Sequence, residues 1–204
     1  MKKILCFGDS NTYGFNPLNG SRFSSSIRWS GILKEVLKEK YLVIEQGCNN
    51  RTCFSDNPIS EEMTGYKAIK KYLSSDIDYL VLSLGINDLQ ISYDNSETDI
   101  VEGFSNLIEY VYSVKPDINI LILSPSVLLN KILFSYFSVM FDNNSIEMSY
   151  KLNEILQKIA QRYNSDFINL NEFVSVSKID GLHYDEAGHS AVAKLLHNYF
   201  VNLT

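Results

Sequence analysis

The sequence predicts an α/β protein in which a doubly wound parallel sheet of five strands lies between two layers of helices. Short runs rich in Ile, Val, Leu, Tyr and Phe alternate with longer segments whose apolar residues recur at helical spacing. The short runs have the composition of strands buried on both faces, which is typical of parallel sheets. No internal repeat or linker interrupts the alternation. We therefore expect one three-layer α/β/α domain over residues 1–204.

Each strand is predicted from its own apolar run, and the runs cover residues 4–7, 42–45, 79–84, 118–124 and 167–170. Helices are predicted where apolar residues share one helical face. These residues are Trp29, Ile32, Leu33, Val36 and Leu37, then Met63, Tyr66, Ile69 and Leu73, then Ile100, Phe104, Leu107, Ile108 and Val111, then Met148, Leu152, Ile155, Leu156 and Ile159, and finally Ala191, Leu195, Leu196 and Tyr199. Two connections follow neither pattern, namely the polar residues 16–26 and the aromatic-rich residues 127–145.

Composition argues against several classes of protein. The chain has 204 residues, 45% hydrophobic and 21% charged, which supports a sizeable core and does not fit a disordered chain. A net charge of -6 without clustered Lys and Arg argues against nucleic-acid binding. No run reaches the roughly 20 apolar residues that span a bilayer, so we expect no membrane segment. Cys6, Cys48 and Cys53 form no CxxC pair, and we interpret them as reduced thiols of a cytoplasmic protein.

Polar residues follow three of the predicted strands at the point where each strand ends. Ser10 comes after the first strand in Gly-Asp-Ser, residues 46–52 follow the second, and Asn87 follows the third in Gly-Ile-Asn-Asp. Carboxyl ends of parallel strands share one edge of the sheet, so these groups should lie close together. Near the C-terminus, Asp180 and His183 stand in Asp-Gly-Leu-His before the last helix, on a loop that can return to the same edge.

A serine, an imidazole and a carboxylate are the groups that acyl transfer requires. A serine hydroxyl is a weak nucleophile until a positioned base removes its proton, and the base needs a partner that fixes its tautomer. The same residues are also compatible with two other functions. One is a flavodoxin-like module that binds phosphate or another small molecule at the Gly-Asp-Ser turn, although such loops usually carry more glycines and a Lys. The other is an enzyme with Asp9 as its nucleophile, which leaves His183 and Asn87 unexplained.

A metal site is a further alternative. His183, Asp185 and His189 are spaced closely enough to suggest shared ligation, but the break between loop and helix falls among them and no further strong ligand is evident. Asp185 is more simply the N-cap of the last helix. We expect neither a metal nor a cofactor.

With these motifs in their observed order, nearly the whole chain resembles the SGNH hydrolases, also called GDSL-type esterases and lipases. The stretches "RWSGIL", "VIEQGCNNRT" and "DGLHYDEAGH" are most similar to the arylesterase and acyltransferase branch of that family. The resemblance implies a flavodoxin-like sheet and a serine esterase that cleaves small acyl esters. Acyl transfer, thioester hydrolysis and deacetylation of carbohydrates remain alternatives with the same residues.

The same resemblance implies a role for each motif residue. Ser10 is the nucleophile, His183 the base, and Asp180 orients the imidazole. The oxyanion donors are the Ser10 N–H, the Asn50 N–H and the Asn87 side-chain amide. Asn50 is a departure, because members of the family often have glycine at this position, and Gly47 matches an earlier glycine of the motif. Asn tolerates a left-handed backbone better than most residues, so we expect its N–H to serve.

The substrate-binding residues are predicted less directly. Tyr13 and Phe15 are expected on the wall of the pocket, and Asp9 is expected to brace the turn. Arg51 is expected either to bind an anionic substrate group or to pair with an acidic residue such as Asp9 or Asp88. The aromatic residues of 127–145 are expected to line the pocket or to form a contact in a homo-oligomer.

Overall fold

The computed structural model describes residues 1–73 and 76–203, and its five strands form one parallel sheet in the order β2-β1-β3-β4-β5. The strands are β1 (Lys2–Gly8), β2 (Tyr41–Gly47), β3 (Tyr79–Ser83), β4 (Asn119–Ser124) and β5 (Asp166–Asn169). All four pairings are parallel. The predicted fold class and the five predicted strands are confirmed.

Six α-helices accompany the strands among the described residues. They are α1 (Ser10–Tyr13), α2 (Trp29–Val36), α3 (Gly65–Tyr72), α4 (Glu97–Val114), α5 (Asn143–Arg162) and α6 (Glu186–Asn202). Short 3-10 helices occupy Glu61–Met63, Ile86–Leu89, Asn130–Phe134, Tyr136–Val139 and Leu170–Glu172. The predicted helix from Met63 therefore begins two residues later, because Met63 ends a separate 3-10 turn.

Alternate residues of β1 point into two different cores, which is what a sheet covered on both faces requires. Leu5 and Phe7 belong to the core under α3, α4 and α5, whereas Ile4 and Cys6 belong to the core under α2 and α6. The predicted apolar faces supply most of both cores. Val36 is the clearest exception, since it is 49% exposed at the end of α2.

The order of the strands reverses between β1 and β3. Gly8 at the end of β1 lies in register with Gly47 of β2 and with Ser83 of β3, so the three strands end at the same level. Connections leave this edge toward opposite faces of the sheet and open a crevice between them. The crevice is where the motifs predicted to be functional converge.

In the aromatic-rich connection that precedes α5, some apolar side chains are buried and others are exposed to solvent. Phe141 is buried in the core, but Phe134, Tyr136 and Val139 are 81%, 86% and 78% exposed. The connection ends earlier than predicted, because Asp142 caps a helix that starts at Asn143. Within residues 1–73 and 76–203, no helix has both the length and the apolar character needed to cross a membrane.

Candidate active site

The Gly-Asp-Ser turn, residues 8–10, joins β1 to the short helix α1. The carboxylate of Asp9 caps this helix by accepting the Asn11 N–H at 2.9 Å. A Cβ atom at Gly8 would stand 2.6 Å from the Ser83 carbonyl oxygen, so only glycine lets the strand end this close to β3. The turn places Ser10 at the first position of α1, directly over the crevice.

Ser10, His183 and Asp180 form a continuous chain of hydrogen bonds. The Oγ atom of Ser10 lies 2.8 Å from Nε2 of His183, and Nδ1 of the same ring lies 2.7 Å from Oδ2 of Asp180. All three residues are buried, with exposures of 5%, 2% and 4% for Ser10, His183 and Asp180. This arrangement can pass a proton from the hydroxyl to the imidazole while the carboxylate holds the ring.

The surroundings of Asp180 favour its ionised form. Its Oδ1 accepts the N–H groups of Leu182 and His183, both at 3.0 Å, which leaves Oδ2 for the imidazole. Burial alone raises the pKa of Asp180, but the hydrogen bond and charge of His183 and the two backbone donors lower it below its ordinary value. Gly181 supplies the left-handed conformation of this turn, with φ of 79°.

Asn11 joins the loop that contains His183 to helix α1, which carries Ser10. Its Nδ2 donates to the Leu182 carbonyl oxygen at 3.2 Å, and its Oδ1 accepts the Tyr184 N–H at 2.9 Å. The two bonds flank His183 in the chain. Sequence reasoning did not assign this residue a role, although its position directly after Ser10 was a signal.

The three predicted oxyanion donors surround a small cleft beside Ser10. Asn50 adopts a left-handed conformation, with φ of 59°, which asparagine tolerates better than most residues. Asn87 donates one Nδ2 hydrogen to the Arg51 carbonyl oxygen at 3.1 Å and keeps the second hydrogen. Among the described residues, no backbone or side-chain acceptor takes the N–H of Ser10 or of Asn50. These groups are therefore available to an oxygen atom of a bound molecule.

The cleft has a volume of ≈ 190 Å³. Its walls are formed by Ser10, Phe15, Asn49, Asn50, Asn87, Phe137, Met140, Phe141, Leu182 and His183. Phe15 and Phe137 flank the imidazole of His183, with ring centroids 4.2 Å and 5.1 Å from its own. Of Tyr13, Phe15, Asp9 and Arg51, only Phe15 is on this wall. Phe137 belongs to the aromatic-rich connection that the sequence also indicated.

Tyr13, Asp9 and Arg51 lie outside the cleft wall. The Tyr13 ring packs against the Arg22 guanidinium at 4.5 Å. Asp9 is buried beneath the turn, and burial raises its pKa to about 7 despite the backbone donors that it accepts. Neither Tyr13 nor Asp9 therefore lines the cleft beside Ser10.

Arg51 pairs with an acidic residue, which is one of its two predicted roles, but the partner is Glu62 and was not predicted. Its guanidinium donates to the carboxylate of Glu62 at 2.5 Å and to the carbonyl oxygens of Gln46 and Gly8 at 2.5 and 3.1 Å. The residue is 1% exposed. Neither Asp9 nor Asp88 forms the expected ion pair with Arg51, since Asp88 instead accepts the N–H groups of residues 53–55. With the bond from Nε to the Glu62 carbonyl oxygen at 2.9 Å, four of the five guanidinium N–H donors are used within the protein.

His189 does not share a site with His183. Its Nδ1 accepts the Trp29 N–H at 3.3 Å, and its pKa is lowered to about 4 by burial. Asp185 caps α6, as predicted, by accepting the Gly188 N–H at 2.9 Å. Over residues 1–73 and 76–203, no three His, Cys, Asp or Glu side chains are grouped so that they could hold a metal ion.

Comparison with solved structures shows the same fold in esterases. An inhibitor-bound aryl esterase of M. smegmatis is 25% identical, with a TM-score of 0.91 and 100% of both chains covered. A carbohydrate acetylesterase family member from Sinorhizobium meliloti is 26% identical, with a TM-score of 0.88 over 98% of this chain and 97% of that chain. A lipase/acylhydrolase from Enterococcus faecalis shares only the fold, at 18% identity and a TM-score of 0.68, over 98% of this chain and 95% of that chain.

Sequence comparison gives a consistent result at the level of the family. No curated protein is significantly similar to the chain in sequence. The family model described as GDSL-like lipase/acylhydrolase matches residues 6–191. The match includes the Gly-Asp-Ser turn, both asparagine motifs and the Asp-Gly-Leu-His loop. Because it extends over most of the chain, the protein belongs to the GDSL-like lipase/acylhydrolase family.

Proposed function

We propose that this chain is a serine esterase that hydrolyses small acyl esters through an acyl-serine intermediate. The observation that carries the proposal is the unbroken contact from Asp180 through His183 to Ser10, with distances of 2.7 and 2.8 Å. The contact ends at a cleft that also holds three unused N–H donors. Membership of an acylhydrolase family supports the same reaction.

Each step of the proposed reaction uses a group in this cleft. Ser10 Oγ attacks the ester carbonyl carbon and passes its proton to Nε2 of His183. The negative charge that develops on the carbonyl oxygen is stabilised by the N–H groups of Ser10 and Asn50 and by Nδ2 of Asn87. As the carbon–oxygen bond of the leaving alcohol breaks, the imidazolium returns the proton to that oxygen. Water then repeats the sequence on the acyl-serine, releasing the acid and restoring the hydroxyl.

The size of the cleft supports a short acyl group. A volume of ≈ 190 Å³ is below the range of about 300–1,000 Å³ that is typical of sites for drug-sized ligands. The Asn50 side chain occupies space that glycine would leave empty. Acetyl esters of aryl alcohols or of sugars are the substrate classes that we favour, and structural neighbours described as an aryl esterase and a carbohydrate acetylesterase family member support both.

The proposal is tested by labelling and by a series of esters. A fluorophosphonate probe is expected to modify Ser10 alone, as located by peptide mass mapping. Hydrolysis of p-nitrophenyl acetate should exceed that of butyrate and octanoate, and Ser10→Ala should abolish both labelling and turnover. Ser113→Ala removes an exposed serine of α4 and serves as the matched control. Full hydrolysis by Ser10→Ala would overturn the proposal, and a non-catalytic binding module would show neither reaction.

Two further parts of the proposal concern self-association of the chain and its cellular compartment. We propose that the exposed side chains of Phe134, Tyr136 and Val139 contact a second copy of the chain, since together they form an apolar surface. Tyr136→Asp should then reduce the mass measured by light scattering to that of a monomer. The three cysteines are free thiols, which supports activity in a reducing cytoplasm.

A further inference from the structure

Gln90 lies directly behind two of the proposed oxyanion donors. It follows the 3-10 helix Ile86–Leu89 and is 5% exposed. Its Nε2 donates to Oδ1 of Asn50 at 2.6 Å and to Oδ1 of Asn87 at 3.1 Å. A carboxamide nitrogen carries two hydrogens, so both hydrogens of Gln90 are committed to these asparagines.

The direction of every bond in this group follows from one fixed acceptor. The Arg51 carbonyl oxygen can only accept, so the group of Asn87 that faces it, at 3.1 Å, is Nδ2. The Oδ1 of Asn87 therefore faces Gln90, which must present its nitrogen there. The same nitrogen then meets Oδ1 of Asn50. The Arg51 carbonyl oxygen thus sets the orientation of the Asn87 amide, which sets that of Gln90, which in turn sets that of Asn50.

Asn50 is held on two sides while its N–H stays unused. Its side chain is bound by Gln90, and its carbonyl oxygen accepts from Nδ2 of Asn57 at 3.1 Å. Its φ of 59° is a left-handed conformation, which asparagine tolerates better than most residues but which glycine adopts without steric cost. The hydrogen bond from Gln90 fixes a side chain that has no counterpart when glycine occupies this position.

We propose that Gln90 is a positioning residue, which holds the Asn50 N–H and the Asn87 Nδ2–H in one arrangement suited to a single oxyanion. The inference rests on the proposed esterase reaction. Gln90 is absent from the cleft wall and acts only through the two asparagines. Asn50 and Gln90 then form a functional pair, in which the bond between the side chains maintains a backbone conformation that glycine adopts without help.

Gln90→Glu is the sharpest test, because it keeps the size of the side chain and removes both donors. The new carboxylate faces Oδ1 of Asn50 and Oδ1 of Asn87. The Asn87 amide cannot flip without losing its hydrogen bond to the Arg51 carbonyl oxygen. We expect kcat for p-nitrophenyl acetate to fall about 10- to 100-fold with KM within about twofold. The affinity for methylboronic acid, whose serine adduct is tetrahedral and whose methyl group matches that of an acetyl ester, should fall by a similar factor. Gln161→Ala, on an exposed face of α5, is the matched control.

A double-mutant comparison separates this role from simple packing. Asn50→Gly removes one of the two bonds, so Gln90→Ala should reduce kcat several-fold less in the Asn50→Gly protein than in the wild type. Equal losses in both backgrounds, or a loss confined to KM, would contradict a positioning role. If Gln90→Glu fails to fold in a cooperative unfolding assay, Gln90→Met in the same kinetic and boronate assays decides the question.

The failure of this inference is distinct from failure of the proposed function. Wild-type protein that hydrolyses the ester and binds the boronate through Ser10, with Gln90→Glu unchanged in both assays, would overturn the inference alone. Activity that survives Ser10→Ala would overturn the esterase mechanism itself.

Discussion

The Oγ atom of Ser10 lies 2.8 Å from Nε2 of His183, although 173 positions separate these residues in the chain. Ser10 is fixed by the end of β1, and His183 by the turn that precedes α6. The two segments are joined by Asn11, which binds backbone groups on either side of His183. We therefore expect the alignment of the proposed nucleophile and base to depend on Asn11, which takes part in no step of the proposed reaction.

Asn11→Ala should separate the two segments. The variant loses both bonds to the loop of His183, and each buried hydrogen bond contributes about 0.5–1.5 kcal/mol to stability. We expect urea unfolding to show a loss of about 1–3 kcal/mol and kcat to fall at least about tenfold. Asn106→Ala, which alters an exposed asparagine of α4, is the control. Unchanged turnover in Asn11→Ala would show that the loop holds its position without this clamp.

Asn87→Ala should lower turnover without unfolding the protein. Loss of one oxyanion donor typically costs about 2.7–4 kcal/mol in the transition state, or about 10²–10³ in kcat. KM should change little, because the donor acts mainly on charge that develops during the reaction. Steady-state kinetics and a thermal melt on the same sample check both parts. A variant with normal kcat would remove Asn87 from the oxyanion site.

Phe137→Ala should widen the cleft and change the preferred ester. Phe137 lies at the wall beside His183 and lines a volume of ≈ 190 Å³. We expect kcat/KM for p-nitrophenyl butyrate relative to acetate to rise several-fold, since one added methylene contributes about 1–3 kcal/mol in an apolar pocket. Exposed Phe173 offers a control in Phe173→Ala. An unchanged ratio would place the acyl group elsewhere.

His189 should make folding stability depend on pH. Burial lowers its pKa to about 4 from an ordinary 6.5, so the unfolded chain binds a proton in this range and the folded chain does not. Stability from this group is complete above pH 6.5 and is lost as pH falls toward 4, by up to about 3 kcal/mol. Asp9 acts in the opposite sense, because its pKa is raised to about 7 in the folded state.

Comparison with His189→Asn isolates the histidine, because Asn keeps an acceptor for the Trp29 N–H. As the pH falls from 7 to 4, the free energy of unfolding of the wild type should decrease relative to that of His189→Asn. Parallel curves over that range would show that His189 does not cause the dependence.

The fold and the convergence of the motifs were predictable for the same physical reason. Parallel strands end at one edge, so polar residues placed after β1, β2 and β3 had to meet there. The turn at Asp180 was also predictable, since Gly181 and the capping residue Asp185 indicate a loop that ends just before α6.

What the sequence did not reveal is which side chain pairs with which. Arg51 pairs with Glu62, although Asp9 and Asp88 were the acids considered, because partner choice depends on how the loop after β2 folds back. Gln90 gave no signal at all, since a single glutamine after a motif has no pattern. Such contacts arise from tertiary packing and not from local periodicity.

The most direct test of the central claim is to trap the intermediate during turnover. Wild-type protein mixed with p-nitrophenyl acetate and quenched in acid within milliseconds should carry one acetyl group, which peptide mapping locates on Ser10. Gln90→Glu should accumulate the same adduct more slowly, and Ser10→Ala should carry none. An acetyl group on another residue, or rapid hydrolysis with Ser10 unmodified at every quench time, would contradict the account.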